Sequence, residues 1–158
     1  MTAEGAITGT FLVTEADAES AVLREVHEGR IHTLAENPGL EAGQVLEATI
    51  APEPPLEVAW TVADLAAART IPVEAHPEPP TRASMAAAEG QAVGELTRRE
   101  RAGDGEIHVI TVPEGETAAA VEDLVADETT VTTAARLGVA RVEVRSSDGV
   151  VSVRYLPD

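Results

Sequence analysis

The chain has 158 residues, 28 acidic and 11 basic, for a formal charge of −17, and every basic residue is arginine. A surface of that sign repels anionic lipid and disfavours the compact state by self-repulsion in dilute buffer. With no cysteine, disulfides and thiolate metal centres are excluded.

In chain order, residues 8–15 read as a strand. Residues 20–28 and 30–36 read as a hairpin turning on Glu28-Gly29, which pairs Val26 with Ile31 and Val22 with Ala35. One face of that hairpin then carries Leu23, Glu25 and His27 across from Leu34, His32 and Arg30. Asn37-Pro38-Gly39 breaks the chain. Residues 44–51 and 56–65 are two more strands, separated by the stiff, extended Pro52-Glu53-Pro54-Pro55. Five short strands in so few residues predict a small five-stranded β-barrel of OB or SH3-like kind over residues 1–66.

An α+β unit is expected over residues 67–158. Ile71-Pro72-Val73 suits an edge strand, because proline cannot donate to a central ladder. Residues 81–89 and 95–101 read as short helices, and residues 106–112 as a strand. Residues 116–127 form an amphipathic helix with Ala118, Val121, Leu124 and Val125 on one face. A second helix spans residues 129–137, with Thr129 as its cap and Gly138 as its stop. The chain then ends in a hairpin turning on Asp148-Gly149, which pairs Val144 with Val153, Val142 with Tyr155 and Glu143 with Arg154. Valines and tyrosine line one of its faces and charges the other. The fold class is therefore α+β, a barrel followed by an α+β unit ending in a β-hairpin.

The core is built from small aliphatics. There are 19 valines, and Phe11, Trp60 and Tyr155 are the only aromatic residues. Each such side chain buries little area. That weak core and the acidic surface both suit concentrated salt, where the Debye length falls to about 3 Å at 1 M and surface repulsion is screened. A GC-rich genome would also replace lysine by arginine, but does not by itself produce the acidic excess. The composition thus predicts a halophilic protein. The N-terminus lacks the charged and apolar regions of a secretory signal and no run suits a membrane span, so the expected location is the cytoplasm.

No catalytic constellation stands out. None of the five serines sits in a nucleophile elbow, and a phosphate loop ending in Gly-Lys-Ser/Thr needs a lysine. No catalytic residue and no cofactor is assigned. Glu25, His27 and His32 could hold a metal through two imidazoles and a carboxylate, although strand histidines are more often structural, and no metal site is assigned either. His76 and His108 read as structural. Arg98, Arg99 and Arg101 form the one basic cluster. It suits a phosphate or a partner's carboxylate, and the alternative is a helix whose arginines pair with Glu95 and Glu100.

The stretch Asn37-Pro38-Gly39-Leu40-Glu41-Ala42-Gly43-Gln44-Val45-Leu46-Glu47-Ala48-Thr49-Ile50, with Val58-Ala59-Trp60-Thr61-Val62, resembles the middle of small RNA-binding barrels of the TRAM and OB type, which implies nucleic acid as a partner. Gly9-Thr10-Phe11-Leu12-Val13, Ala51-Pro52-Glu53-Pro54-Pro55, Gly94-Glu95-Leu96-Thr97-Arg98, Glu100-Arg101-Ala102-Gly103 and Val151-Ser152-Val153-Arg154-Tyr155-Leu156-Pro157 resemble a haloarchaeal family of unknown function. That resemblance implies a halophilic archaeal source and supplies no site. The functional expectation is a non-enzymatic binding or adaptor protein with a protein partner. An RNA-binding barrel stands second and a metal-dependent enzyme third.

Overall fold

The computed structural model describes residues 5–101 and 105–158. The chain divides into two compact units, Met1–Ile71 with Val131–Arg136, and Pro72–Thr130 with Leu137–Asp158.

The first unit is a closed barrel. Strands β1 (Ile7–Ala16), β2 (Ala21–Glu25), β3 (Ile31–Leu34), β4 (Gln44–Pro52) and β5 (Trp60–Thr70) follow one another in the order β1-β2-β3-β5-β4. Strand β1 pairs with β4 over residues 7–12 and with β2 over residues 11–16, with a register shift between Val13 and Glu15 in the β2 pairing. The parallel seam between β3 and β5 rests on the pair Leu34 and Trp60. Alternation aims Phe11, Val13, Leu23, Leu34, Leu46 and Ile50 into the interior. Leu12 and Val45 face each other across β1 and β4 and are also buried. In the same unit Arg136 Nε donates to the Val26 carbonyl at 3.2 Å.

The second unit carries a five-stranded mixed sheet. Its elements are β6 (Val73–Ala75), α1 (Arg82–Ala88), β7 (Leu96–Glu100), β8 (Glu106–Thr111), α2 (Thr117–Ala126), β9 (Arg141–Ser147) and β10 (Val150–Leu156). Helix α3 (Glu128–Leu137) precedes β9 in the chain, and its residues Val131–Arg136 belong to the first unit. The strand order is β6-β9-β10-β8-β7, with β6 parallel to β9. The C-terminal hairpin has the expected register, Val144 with Val153, Val142 with Tyr155 and Glu143 with Arg154. An edge strand is present, but as β6 over Val73–Ala75, so that Ile71 and Pro72 of the expected Ile71-Pro72-Val73 strand precede it. Helix α2 packs on β9, β10 and β6, where it presents half-buried Val121, Leu124 and Val125. Ala118, expected on that face, is exposed.

Several local expectations are corrected. Residues 95–101 are not a helix, because Leu96–Glu100 pairs with β8 as strand β7. Gln91 helps fix this segment, its side-chain amide donating to the Glu95 carbonyl at 3.1 Å. The β2–β3 pair is shifted by two residues, so that Leu23 faces His32 and Arg24 faces Ile31. The cause is a wider turn. The Glu25 carboxylate accepts the N–H of His27 at 2.9 Å and of Glu28 at 2.5 Å, and Gly29, at φ 78°, donates to the Glu25 carbonyl. The Pro52-Glu53-Pro54-Pro55 segment is a turn, not an extended spacer. Glu57 N–H returns to the Glu53 carbonyl at 2.9 Å, and β5 starts only at Trp60. Helix α3 is capped by Asp127, whose carboxylate accepts the Thr129 N–H at 2.9 Å. Gly138, at φ 71°, ends it as expected.

Candidate functional site

The charged face of the C-terminal hairpin is not a solvated surface. Its register continues across the sheet, so that Arg99, Ile107, Arg154, Glu143 and Glu74 stand in one row from β7 to β6. Residues on adjacent rows share that face, among them Thr97, Val109, Ser152 and Arg145. At its centre the Glu143 side chain is only 10% exposed. Arg145 Nε donates to it at 2.6 Å and Arg141 Nη1 at 3.2 Å. Arg154 Nε approaches at 3.7 Å, which is a charge contact and not a hydrogen bond. That buried Nε has no hydrogen-bond partner.

These distances set the electrostatics. Burial alone would raise the pKa of Glu143, but the Arg145 guanidinium, together with His76 and Arg141, holds it below the usual 4.5. Arg154 is shifted down from the arginine range, first by burial and then by Arg145, with Arg101 and Arg141 adding to it against the pull of Glu143. Arginine charge therefore exceeds what the one central carboxylate neutralises. A further carboxylate, Glu78, reaches Arg145 at 3.4 Å from an exposed position. Beside Glu143 opens a cavity of about 70 Å³ lined by Glu74, His76 and Arg141.

The predicted arginine cluster is split by its strand. Arg98 pairs with His108 and Arg99 with Ile107, so the two side chains leave opposite faces of β7. Arg99 Nη1 donates to the Ala83 carbonyl at 2.7 Å, not to Glu95 or Glu100. Arg101 acts electrostatically on Arg154. Arg99 and Arg101 thus join the arginines of β9 and β10. Arg141, Arg145 and Arg154 were missed as a cluster. Their signal was the period-two charge of Arg141, Glu143 and Arg145 opposite Arg154.

In the barrel the sequence placed Glu25, His27 and His32 together. Glu25 does lie near both histidines, and it is spent on capping the turn. Burial would raise its pKa, but the N–H groups of Glu28 and His27 and the two imidazoles hold it below 4.5. His27 sits in the turn itself. His32 is buried, its ring centroid 4.6 Å from that of Trp60 and 6.0 Å from that of Phe11, both edge-on. Burial and Arg30 push its pKa below 6.5 against the weaker pull of Glu25. Among the described residues no group of three or more histidines, aspartates and glutamates is placed to hold a metal ion. His108 Nε2 lies 2.9 Å from Glu106, and His76 Nδ1 accepts the Glu78 N–H at 3.2 Å. A second cavity, about 120 Å³, lies between Glu36, Asn37, Pro38, Thr61 and Val62, and carries no basic group.

Residues 7–146 match a family of unknown function, DUF5812. The chain belongs to that family. No curated protein and no solved structure matches it. The DUF5812 match takes in the whole barrel and, in the second sheet, Arg99, Arg101, Arg141, Glu143 and Arg145, while Arg154 lies beyond it. Among the described residues no helix is long and apolar enough to cross a membrane.

Proposed function

We propose that this protein is a non-enzymatic binding module that holds an anionic partner on the arginine-bearing sheet of its second unit. The observation that carries this reading is a concentration of positive charge against the trend of the chain. In a molecule of charge −17 with 11 basic residues, Arg141, Arg145 and Arg154 gather around one buried carboxylate, with Arg101 acting on Arg154 and Arg99 in the same row of the sheet. Guanidinium groups fixed by packing and by ion pairs suit recognition of carboxylate or phosphate, since little side-chain freedom is left to lose. The proposed source is a halophilic archaeon and the proposed location its cytoplasm. The acidic excess and the lack of lysine support both.

RNA binding by the barrel is the second reading. It draws on the closed five-stranded barrel with β3 parallel to β5, an architecture shared with OB-type oligonucleotide-binding barrels. Base stacking asks for exposed rings. Here Phe11 lies in the barrel core, and Trp60 packs against it.

The test is site-specific photo-crosslinking of the full chain in native lysate kept in molar potassium chloride. One probe replaces exposed Glu78, which reaches Arg145 on the second sheet, and the other replaces exposed Leu65 on the barrel. Adducts from position 78 alone are expected. Adducts from position 65 alone would move the binding surface to the barrel.

A further inference from the structure

Strand β7 ends the second sheet, and among the described residues no strand pairs with its outer side. The direction of its backbone is fixed by its neighbours. Arg101 N–H donates to the Gly105 carbonyl, and the Glu95 carbonyl accepts from Thr111 N–H. Odd-numbered residues therefore turn their N–H and C=O groups toward β8. Leu96, Arg98 and Glu100 turn theirs outward, because antiparallel pairing alternates. An outward row of donors and acceptors at strand spacing is a template for another extended chain.

Edges are commonly blunted, and charge is one way of doing it. This edge carries Arg98 and Arg99, yet it also exposes Leu96 at 44%, with Val93 at 62% just before it. Exposed aliphatic groups at an edge defeat blunting, whereas they give an incoming strand something apolar to pack on. The opposite edge is unlike it. Strand β6 has three residues, with acidic Glu74 at its centre.

We infer that β7 accepts an extended acidic polypeptide segment of a partner protein as a sixth strand. This rests on the anionic-partner reading above and names the partner's chemistry. On a strand that alternates acidic and apolar residues, the acidic side chains would lie beside Arg98 or beside Arg99, according to register, and opposite charges across strands attract. A second copy of this chain is the poorer occupant. Antiparallel self-pairing centred on Arg98 sets Arg98 against Arg98, a like-charge pair directly across the strands. A nucleic acid has no peptide ladder to match the outward N–H and C=O groups.

The test titrates the full chain with a fluorescent seven-residue peptide alternating glutamate and valine, in molar potassium chloride, read by anisotropy. Binding is expected, and Arg98→Pro should weaken it about tenfold or more, since each ladder bond lost in a formed complex costs about that factor. Proline is compatible with the fold there because the Arg98 N–H points away from β8. Far-UV circular dichroism of the variant should match the parent. A second arm avoids mutation altogether: the same peptide with every backbone nitrogen methylated keeps every side chain, has no N–H on either edge and should not bind. Binding that survives both changes overturns strand addition while leaving the anionic-partner reading intact. Failure of the peptide to bind, with adducts still formed from position 78, also overturns strand addition alone. Failure of both the peptide and the position-78 crosslink overturns both. An RNA heptamer that binds as tightly and is unaffected by Arg98→Pro would likewise overturn the inference.

Discussion

The barrel and the second sheet hide polar side chains in opposite ways. In the barrel, His32 is enclosed by Phe11 and Trp60 with its pKa pressed downward, and the nearby carboxylate of Glu25 is bound up in a turn. Neutral imidazole is the form that suits this site. In the sheet, Glu143 is enclosed by Arg141, Arg145 and Arg154, and the ionised form is the stable one. A barrel of that kind is closed and self-satisfied. The sheet keeps excess positive charge and an unpaired edge, and those are properties that a partner can use.

The largest expected effect tests that contrast directly. Glu143→Ala leaves three arginines facing one another, and breaking a buried charge pair costs about 3–5 kcal/mol. Phe11→Ala should cost the barrel a similar ~3–5 kcal/mol, through lost burial and a cavity. The two should part in salt. Raising potassium chloride screens the arginine repulsion and should restore more of the loss in Glu143→Ala than in Phe11→Ala, as read by denaturant midpoints.

Next in size is Gly105→Ala. A Cβ there would lie 2.2 Å from the Tyr155 carbonyl oxygen, on a backbone at φ 99°. A loss of about 1–3 kcal/mol is expected, seen as a lowered thermal midpoint.

Acid should separate the units by order. The folded pKa of His32 lies below 6.5, so its neutral form contributes stability above pH 6.5 that fades as pH falls through the lowered value. The pKa of Glu143 is held below 4.5, so its contribution is complete above that pH and is lost only at more acid values. Tryptophan fluorescence from the barrel should therefore respond before the Tyr155 signal of the sheet. In His32→Phe the earlier step should vanish. The smallest effect is expected from Ile31→Ser, at a position 62% exposed, where less than about 0.5 kcal/mol should change.

Much of the fold could be read in the sequence, and where it could is instructive. Strict alternation with a two-residue turn gave the C-terminal hairpin its register, because shifting one strand by one residue would bring its valines into the row of Glu143 and Arg154 and break their charge pairing. The β2–β3 register departs from the two-residue turn of Glu28-Gly29 because the Glu25 side chain closes a wider one. Strand β7 reads locally as a helix because Leu-Thr-Arg-Arg-Glu has no apolar alternation, and its pairing with β8 overrides local preference. At the candidate site, Arg99 and Arg101 were visible as a run. Their meeting with Arg154 and Glu143 depended on strand order in a sheet, which adjacency in sequence does not contain.

The central claim is that the second sheet, at β7, is the binding surface and the barrel is not. Amide hydrogen exchange of the full chain by NMR, with and without the glutamate–valine peptide, tests it most directly. The account predicts that the amides of Leu96, Arg98 and Glu100 become protected on binding. Those of Thr97 and Arg99, already bonded to β8, and those of the barrel should be unchanged. Protection arising in β2 and β3 with none at β7 would contradict it.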